Sequence, residues 1–229
     1  MISAVIVAAG GSQRMGFDKL GVEVEGMPLL GHSIAAFQNC ETVGEIVLVT
    51  AESRFAEIEA LAAARAWTKL RPLVPGGVQR HDSVRAGLAA TNPDFPVIAV
   101  HDGARPLVTP ELIQRCAKAA LTHGAASAAA PVIETLKRRD PATGHTAEAV
   151  DRTELWGMQT PQAFRREILI AAYEGLHGRL VTDEASAVEI MGKPVMLIDH
   201  PEWNVKVTYP KDLPLVALVL SGRLKSKTE

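Results

Sequence analysis

The stretch Ala4-Val5-Ile6-Val7-Ala8-Ala9-Gly10-Gly11-Ser12-Gln13-Arg14-Met15-Gly16-Phe17-Asp18-Lys19 decides how the rest of the chain is read. From Ile2 to Val7 it is a short apolar run, the pattern of a strand buried on both faces. The run passes directly into Ala8, Ala9, Gly10, Gly11 and Ser12. These side chains are too small to keep a ligand away from the backbone. Arg14 and Lys19 follow. Exposed backbone N–H groups with cations beside them form an anion site, most often for phosphate. An ordinary strand-to-helix turn with two solvated cations is the plainer alternative; strand, small-residue loop, Arg14 and Lys19 occurring together favour the anion site.

Two phosphate loops are excluded by spacing. A dinucleotide fingerprint needs G-x-G-x-x-G, and counting from Gly10 the third position is Ser12. A P-loop needs G-x-x-x-x-G-K-[ST]. Gly11 and Gly16 have that separation, but Phe17 and Asp18 stand where the lysine and hydroxyl belong. What remains, A-A-G-x-S-x-R-M-G-x-x-K, resembles the signature loop of nucleotidyltransferases acting on sugar and polyol phosphates.

Downstream, elements alternate. Val22 to Glu25 reads as a short strand, and Pro28 starts a helix through about Cys40 with Leu29, Leu30, Ile34 and Phe37 on its apolar face. Strands are expected at Ile46–Val49, Leu70–Val74 and Val97–Val100, and helices over Phe55–Ala64, about Arg80–Ala90 and Pro110 to about His123. This predicts an α/β fold: a doubly wound, mostly parallel sheet with helices on both faces. Ligands of such sheets bind at the carboxyl ends of strands. The loops after Ile2–Val7, Leu70–Val74 and Val97–Val100, the first, third and fourth predicted core strands, should therefore converge. Beyond Pro131 the rhythm changes: Val132–Arg139 alternates, Asp140-Pro141-Ala142-Thr143-Gly144 reads as a turn, and Thr146–Arg152 alternates again. This predicts a projecting two-stranded β-arm at about 132–153. A lone hairpin is marginal in water, so the arm is expected to pack on a second subunit. A helix is expected to about Gly175, a helix start capped by Thr182 or Asp183, late strands at Val195–Ile198 and Val205–Val207, and a closing helix from Tyr209.

Composition bounds the partners. Net charge is −2 with no basic run interleaved with aromatics, which argues against nucleic acid. Apolar runs are far too short to span a membrane, and no signal peptide is visible. Cys40 and Cys116 are far apart and read as buried thiols. The histidines do not cluster as zinc ligands. A soluble, cytoplasmic, single-domain protein over 1–229 is expected.

Seven segments together, in this order, resemble the 2-C-methyl-D-erythritol 4-phosphate cytidylyltransferase family of the non-mevalonate isoprenoid pathway. They are Ala8–Lys19, Gly76–Val84 (G-G-x-x-R-x-D-S-V), Val100–Pro106 (V-H-D-G-A-R-P), Ala130–Lys137, Asp151–Gln162 (D-R-T-x-L-W-x-x-Q-T-P-Q), Thr182–Ser186 (T-D-E-A-S) and Asn204–Thr208 (N-V-K-V-T). The resemblance implies transfer of CMP from CTP to a polyol phosphate, with Mg²⁺ as cofactor and a homodimer formed through the arm. It implies Arg14, Lys19 and Lys206 as catalytic cations. It implies Ala8, Ala9, Gly10, Gly11, Ser12, Gly77, Ser83, Asp102 and Gly103 around the nucleotide, with Asp102 near the metal, which is carried mainly by the CTP phosphates. It implies Arg105, Thr135, Arg152, Thr160 and Thr182 around the polyol phosphate, Thr135 and Arg152 reaching across a dimer. Val78 stands where some relatives have an acid, so a contact there must come from backbone. Ribitol 5-phosphate cytidylyltransferase and a non-catalytic nucleotide-binding module are the remaining alternatives.

Overall fold

The computed structural model describes residues 1–10 and 16–222; Gly11, Ser12 and Arg14 lie outside the described residues. A seven-stranded sheet runs in the order β11-β7-β10-β6-β1-β4-β5. Its strands are β1 (Ile2–Ala8), β4 (Val43–Thr50), β5 (Val74–Pro75), β6 (Val97–Asp102), β7 (Ala125–Pro131), β10 (Trp156–Arg165) and β11 (Met196–Ile198). Val5 pairs with Val47 on one side and Val100 on the other, both parallel. A separate hairpin joins β2 (Glu23–Val24) to β3 (Met27–Pro28), and the arm joins β8 (Leu136–Arg139) to β9 (Thr146–Val150). Helices are α1 (Leu29–Asn39), α2 (Phe55–Ala64), α3 (Arg80–Ala89), α4 (Pro110–His123), α5 (Arg166–Glu174), α6 (Glu184–Ile190) and α7 (Leu213–Leu220).

The two-residue period of a strand explains the two layers. Ala4, Ile6 and Ala8 of β1 join one core cluster, with Leu30, Ile34 and Phe37 of α1 and Ile113 and Cys116 of α4. Val5, between them, joins the other, with Val84 of α3, Leu169 of α5 and Val188 of α6. β1 thus buries both faces, the arrangement that its near-continuous apolar run foreshadows.

Several expectations change. The third predicted strand shrinks to Val74–Pro75, joined upstream by a lone bridge between Leu70 and Ile46; Pro72 cannot donate to a ladder. β7 and β10 were not expected. β7 reads Ala-Ala-Ser-Ala-Ala-Ala-Pro, poor in β-formers, and is a strand because it is buried between β10 and β11. β10 carries Gly157 and Pro161, which read as loop residues, and its register with β7 shifts between Met158 and Gln162. It runs antiparallel to both β6 and β7, so the sheet is mixed at this end. Val205–Val207 forms no strand; that segment is tied to the loop after β6 by one bond, Val207 N–H to Ala104 O, 2.8 Å. The helix after Gln162 starts only at Arg166, and the arm strands are shorter than predicted. Cys40 caps the end of α1 rather than lying within it. Among the described residues no helix is long and apolar enough to cross a membrane, and both cysteines are free and buried.

Candidate active site

The loops after β1, β5 and β6 do converge, and glycines permit it. A Cβ on Gly76 would lie 2.1 Å from the Ala9 Cβ, and one on Gly103 would lie 2.7 Å from Leu30 Cδ1 and 3.2 Å from the Ala8 Cβ. Any larger residue would force these loops apart. Gly77 N–H donates to Ser83 Oγ at 3.0 Å, and Ser83 Oγ donates to Gln79 O at 3.2 Å. Ser83, at the start of α3, thereby closes the Gly76-Gly77 turn onto the helix.

At the carboxyl end of β6 stands Asp102, nearly buried. Three cations from three parts of the chain converge on it. Arg80 of α3 donates to Oδ1 through Nε at 3.3 Å and Nη2 at 3.1 Å. Lys206 donates to Oδ2 at 2.7 Å. Arg105 Nε lies 3.8 Å from Oδ2 without a hydrogen-bond partner, while its Nη1 donates to Asn204 O at 2.8 Å. Burial alone would raise the Asp102 pKa; Arg80, Lys206 and Arg105 outweigh it and hold the carboxyl well below the usual range. Lys19 approaches the same region: its Nζ donates to Val207 O at 2.8 Å, next to Lys206.

Thr160 supports the cluster from β10. Its hydroxyl accepts from Asp102 N–H at 3.0 Å and meets His101 Nδ1 at 3.0 Å. His101 Nε2 meets Arg105 O at 3.2 Å, and its ring lies against Phe37 at 5.1 Å. Burial, ahead of any charge, lowers the His101 pKa to about 4. The imidazole is therefore neutral at pH 7. A carbonyl only accepts, so Nε2 carries the hydrogen and Thr160 donates to Nδ1.

Of the predicted residues, the structure brings Ala8, Ala9, Gly10, Gly77, Ser83, Asp102, Gly103, Arg105, Thr160, Lys19 and Lys206 to the strand ends and loops just described. Thr182 is exposed, one residue before Asp183, whose carboxylate accepts from Ser186 N–H at 3.0 Å as the N-cap of α6. Thr135 and Arg152 are exposed on the arm, and no hydrogen bond or ion pair among the described residues joins them to the Asp102 cluster. Arg80, His101, Glu184 and Tyr173 belong to the network but were not singled out from sequence. Glu184 receives Arg80 Nη1 at 2.6 Å and Nη2 at 3.0 Å, and the Tyr173 hydroxyl at 3.0 Å. Arg80 and Glu184 fall inside two of the quoted motifs, but 104 residues separate them, and in sequence Glu184 is only a first-turn helix acid.

Among the described residues no group of three or more His, Cys, Asp or Glu side chains could hold a metal ion. Asp102 offers a single carboxylate, and Lys206 shares its Oδ2. One carboxylate would leave most of the coordination of any divalent cation to substrate phosphates.

The family model for 2-C-methyl-D-erythritol 4-phosphate cytidylyltransferase matches residues 2–221. The enzyme of that name from Caldanaerobacter subterraneus is 39% identical over 225 residues, covering 96% of this chain and 98% of the relative. The one from Shouchella clausii is 38% identical, covering 96% and 97%. Among solved structures, the 4-diphosphocytidyl-2C-methyl-D-erythritol synthase of Anaerococcus prevotii superposes with a TM-score of 0.82 at 26% identity, covering 96% of both chains. The cytidylyltransferase of Thermus thermophilus gives 0.78 at 29% identity, covering 96% of this chain and 100% of that one. Methylerythritol, not ribitol, is the polyol in each of these names. A match across nearly the whole length, on a fold whose strand ends carry a cation-ringed carboxylate, places the chain in the 2-C-methyl-D-erythritol 4-phosphate cytidylyltransferase family.

Proposed function

We propose that the Asp102 cluster receives the triphosphate of CTP, and that Lys19, with Arg14, stabilises the phosphorus under attack. The reaction is that of the family: the chain is a CTP-dependent nucleotidyltransferase that transfers CMP to 2-C-methyl-D-erythritol 4-phosphate, giving 4-diphosphocytidyl-2-C-methyl-D-erythritol and pyrophosphate. The observation that carries the residue assignment is the convergence of Arg80, Arg105 and Lys206 on one carboxylate, where the loops after β1, β5 and β6 meet.

An oxygen of the methylerythritol phosphate forms a bond to the α-phosphorus as the bond to the β-phosphate oxygen breaks in line. The nucleophile needs no base, since a phosphate monoester loses its second proton at a pKa of about 6. His101 is unsuited to be one: it is buried, bonded at both ring nitrogens and lowered to about 4. The task is to gather two polyanions and stabilise charge on the transferred group, which positioned cations accomplish. Lys206 and Arg105 are placed to meet the phosphates, Lys206 by exchanging its bond to Asp102. Magnesium, held by the triphosphate and Asp102, would neutralise phosphate charge. Ser83 Oγ donates once and accepts once within its loop. Its second lone pair suits the amino donor of cytosine rather than the carbonyl of uracil. Ala8, Ala9, Gly10, Gly77 and Gly103 supply the backbone cradle; Gly11 and Ser12 are assigned to the nucleotide by the family motif alone. Thr160 holds Asp102, and Thr182 lies beside the cap of α6.

The polyol side of the site requires a second copy. Among the described residues the arm strands pair only with each other, and most residues of β8 and β9 are exposed. Ile133 and Leu155 at its base are 73% and 37% exposed. An apolar base under a lone hairpin favours packing on a partner, so the active form is a homodimer in which Thr135 and Arg152 serve the neighbouring site. Free buried thiols at Cys40 and Cys116 support a reducing, cytoplasmic setting.

The test is pyrophosphate release with CTP and Mg²⁺, offering methylerythritol 4-phosphate and ribitol 5-phosphate in parallel. Turnover on the first alone is expected; turnover on ribitol phosphate alone would move the protein to another substrate.

A further inference from the structure

One charged group in the cluster has no part in the chemistry above. Glu184 is fully buried, yet its carboxylate is ionically paired and saturated: Arg80 binds both oxygens, at 2.6 and 3.0 Å, and Tyr173 donates to Oε1 at 3.0 Å. Arg80 in turn spends its Nε and its shared Nη2 on Asp102 Oδ1. A guanidinium fork supplies all four of these contacts; an ammonium, with three donors on one nitrogen, cannot. From this geometry, and resting on the site assignment above, we infer that Glu184 and Arg80 are positioning residues that fix the Asp102 carboxylate with Oδ1 occupied, so that Oδ2 alone exchanges its Lys206 bond when the triphosphate arrives.

Three features set the pair apart from a stabilising ion pair alone. A buried ion pair adds little net stability over apolar residues of the same volume, so stability gives no reason for three charged groups here. The chain of contacts ends on the carboxylate at the strand end rather than in solvent. Tyr173 donates to Oε1, the oxygen that also accepts from Arg80 Nη1, which adds a second tether to the carboxylate. Glu184 also balances the Arg80 charge. Without it, the guanidinium would be drawn to the triphosphate and would release Asp102.

This predicts a split between binding and turnover. Glu184→Gln keeps the shape and frees Arg80, so kcat falls about tenfold while CTP binding is unchanged or tightens. Arg80→Lys keeps the charge but lacks the fork, and loses kcat to a similar degree. Tyr173→Phe removes a single hydroxyl and lowers kcat by about two- to fivefold. The experiment measures steady-state kcat and both KM values, together with calorimetric CTP binding in the presence of Mg²⁺, on the full-length protein. Lys19→Ala is assayed alongside. Should Glu184→Gln fail to fold, Arg80→Lys and Tyr173→Phe carry the test. Wild-type kcat in both of those overturns the positioning role, as does a loss of CTP affinity equal to the loss of kcat. Wild-type kcat in Lys19→Ala instead overturns the site assignment beneath it, so the two failures are distinguishable.

Discussion

The Asp102 cluster and the β8–β9 arm are built on opposite principles. Around Asp102, side chains from α3, β6, β10, α6 and the segment before α7 interlock, and most are buried. The arm is held by its own strand pairing, by Asp140 accepting from Ala142 N–H at 2.8 Å and Thr143 Oγ1 at 2.9 Å, and by an exposed Arg138–Glu148 pair. Exposed pairs of that kind contribute at most about 1 kcal/mol. The cluster is closed by contacts within the chain; the arm leaves most of its residues exposed. The contrast predicts that changes in the cluster affect turnover and stability together, whereas changes in the arm affect the use of one substrate and leave stability alone.

Lys19→Ala gives the largest effect. Loss of a cation that stabilises the transferred phosphorus should lower kcat at least a hundredfold, about 3 kcal/mol. A nearly unchanged rate in stopped-time pyrophosphate assays would remove Lys19 from the chemistry and blur the contrast at its strongest point.

His101 comes next, and its effect is on stability. In the unfolded chain it takes up a proton as pH falls through about 6.5. In the fold burial holds it neutral down to about 4. Between those values the unfolded state binds more protons, so stability declines as pH falls, by about 3 kcal/mol in all. Denaturant midpoints across this window should show the decline in the wild type and less of it in His101→Gln. An equal decline in both would assign it to other groups.

The smallest effect belongs to the arm. Arg152→Ala should raise KM for methylerythritol phosphate about tenfold, as expected for one lost cation–phosphate contact, with KM for CTP and the melting temperature unchanged. An unaltered KM for the polyol phosphate would count against the arm's role.

The strands β1, β4 and β6 were legible because each contains an unbroken apolar run that is buried, α4 because its apolar spacing begins at the Thr109 cap and Pro110, and α2 from the spacing of Ile58 and Leu61 alone. β7 was hidden because alanine carries no strand preference; only its neighbours make it one. β10 was hidden because Gly157 and Pro161 mimic a loop. The site divides the same way. Asp102 and Arg105 stand out at a strand end, but the bond that ties Arg80 to Glu184 spans 104 residues and leaves no local pattern. Lys206 was placed after a strand that does not form; what positions it is its own bond to Asp102, together with the Ala104–Val207 link next to it.

The most direct measurement mixes two impaired variants, with methylerythritol phosphate kept well below its wild-type KM. On the proposed arrangement Lys19→Ala disables the cluster of its own chain, and Arg152→Ala weakens the arm offered to the partner. If each site is built from two copies, subunit exchange creates dimers in which one site keeps both intact parts. By two-fold symmetry, an equimolar mixture should then recover about a quarter of wild-type turnover. Activity no greater than the sum of the two variants measured apart would contradict a site completed across the dimer.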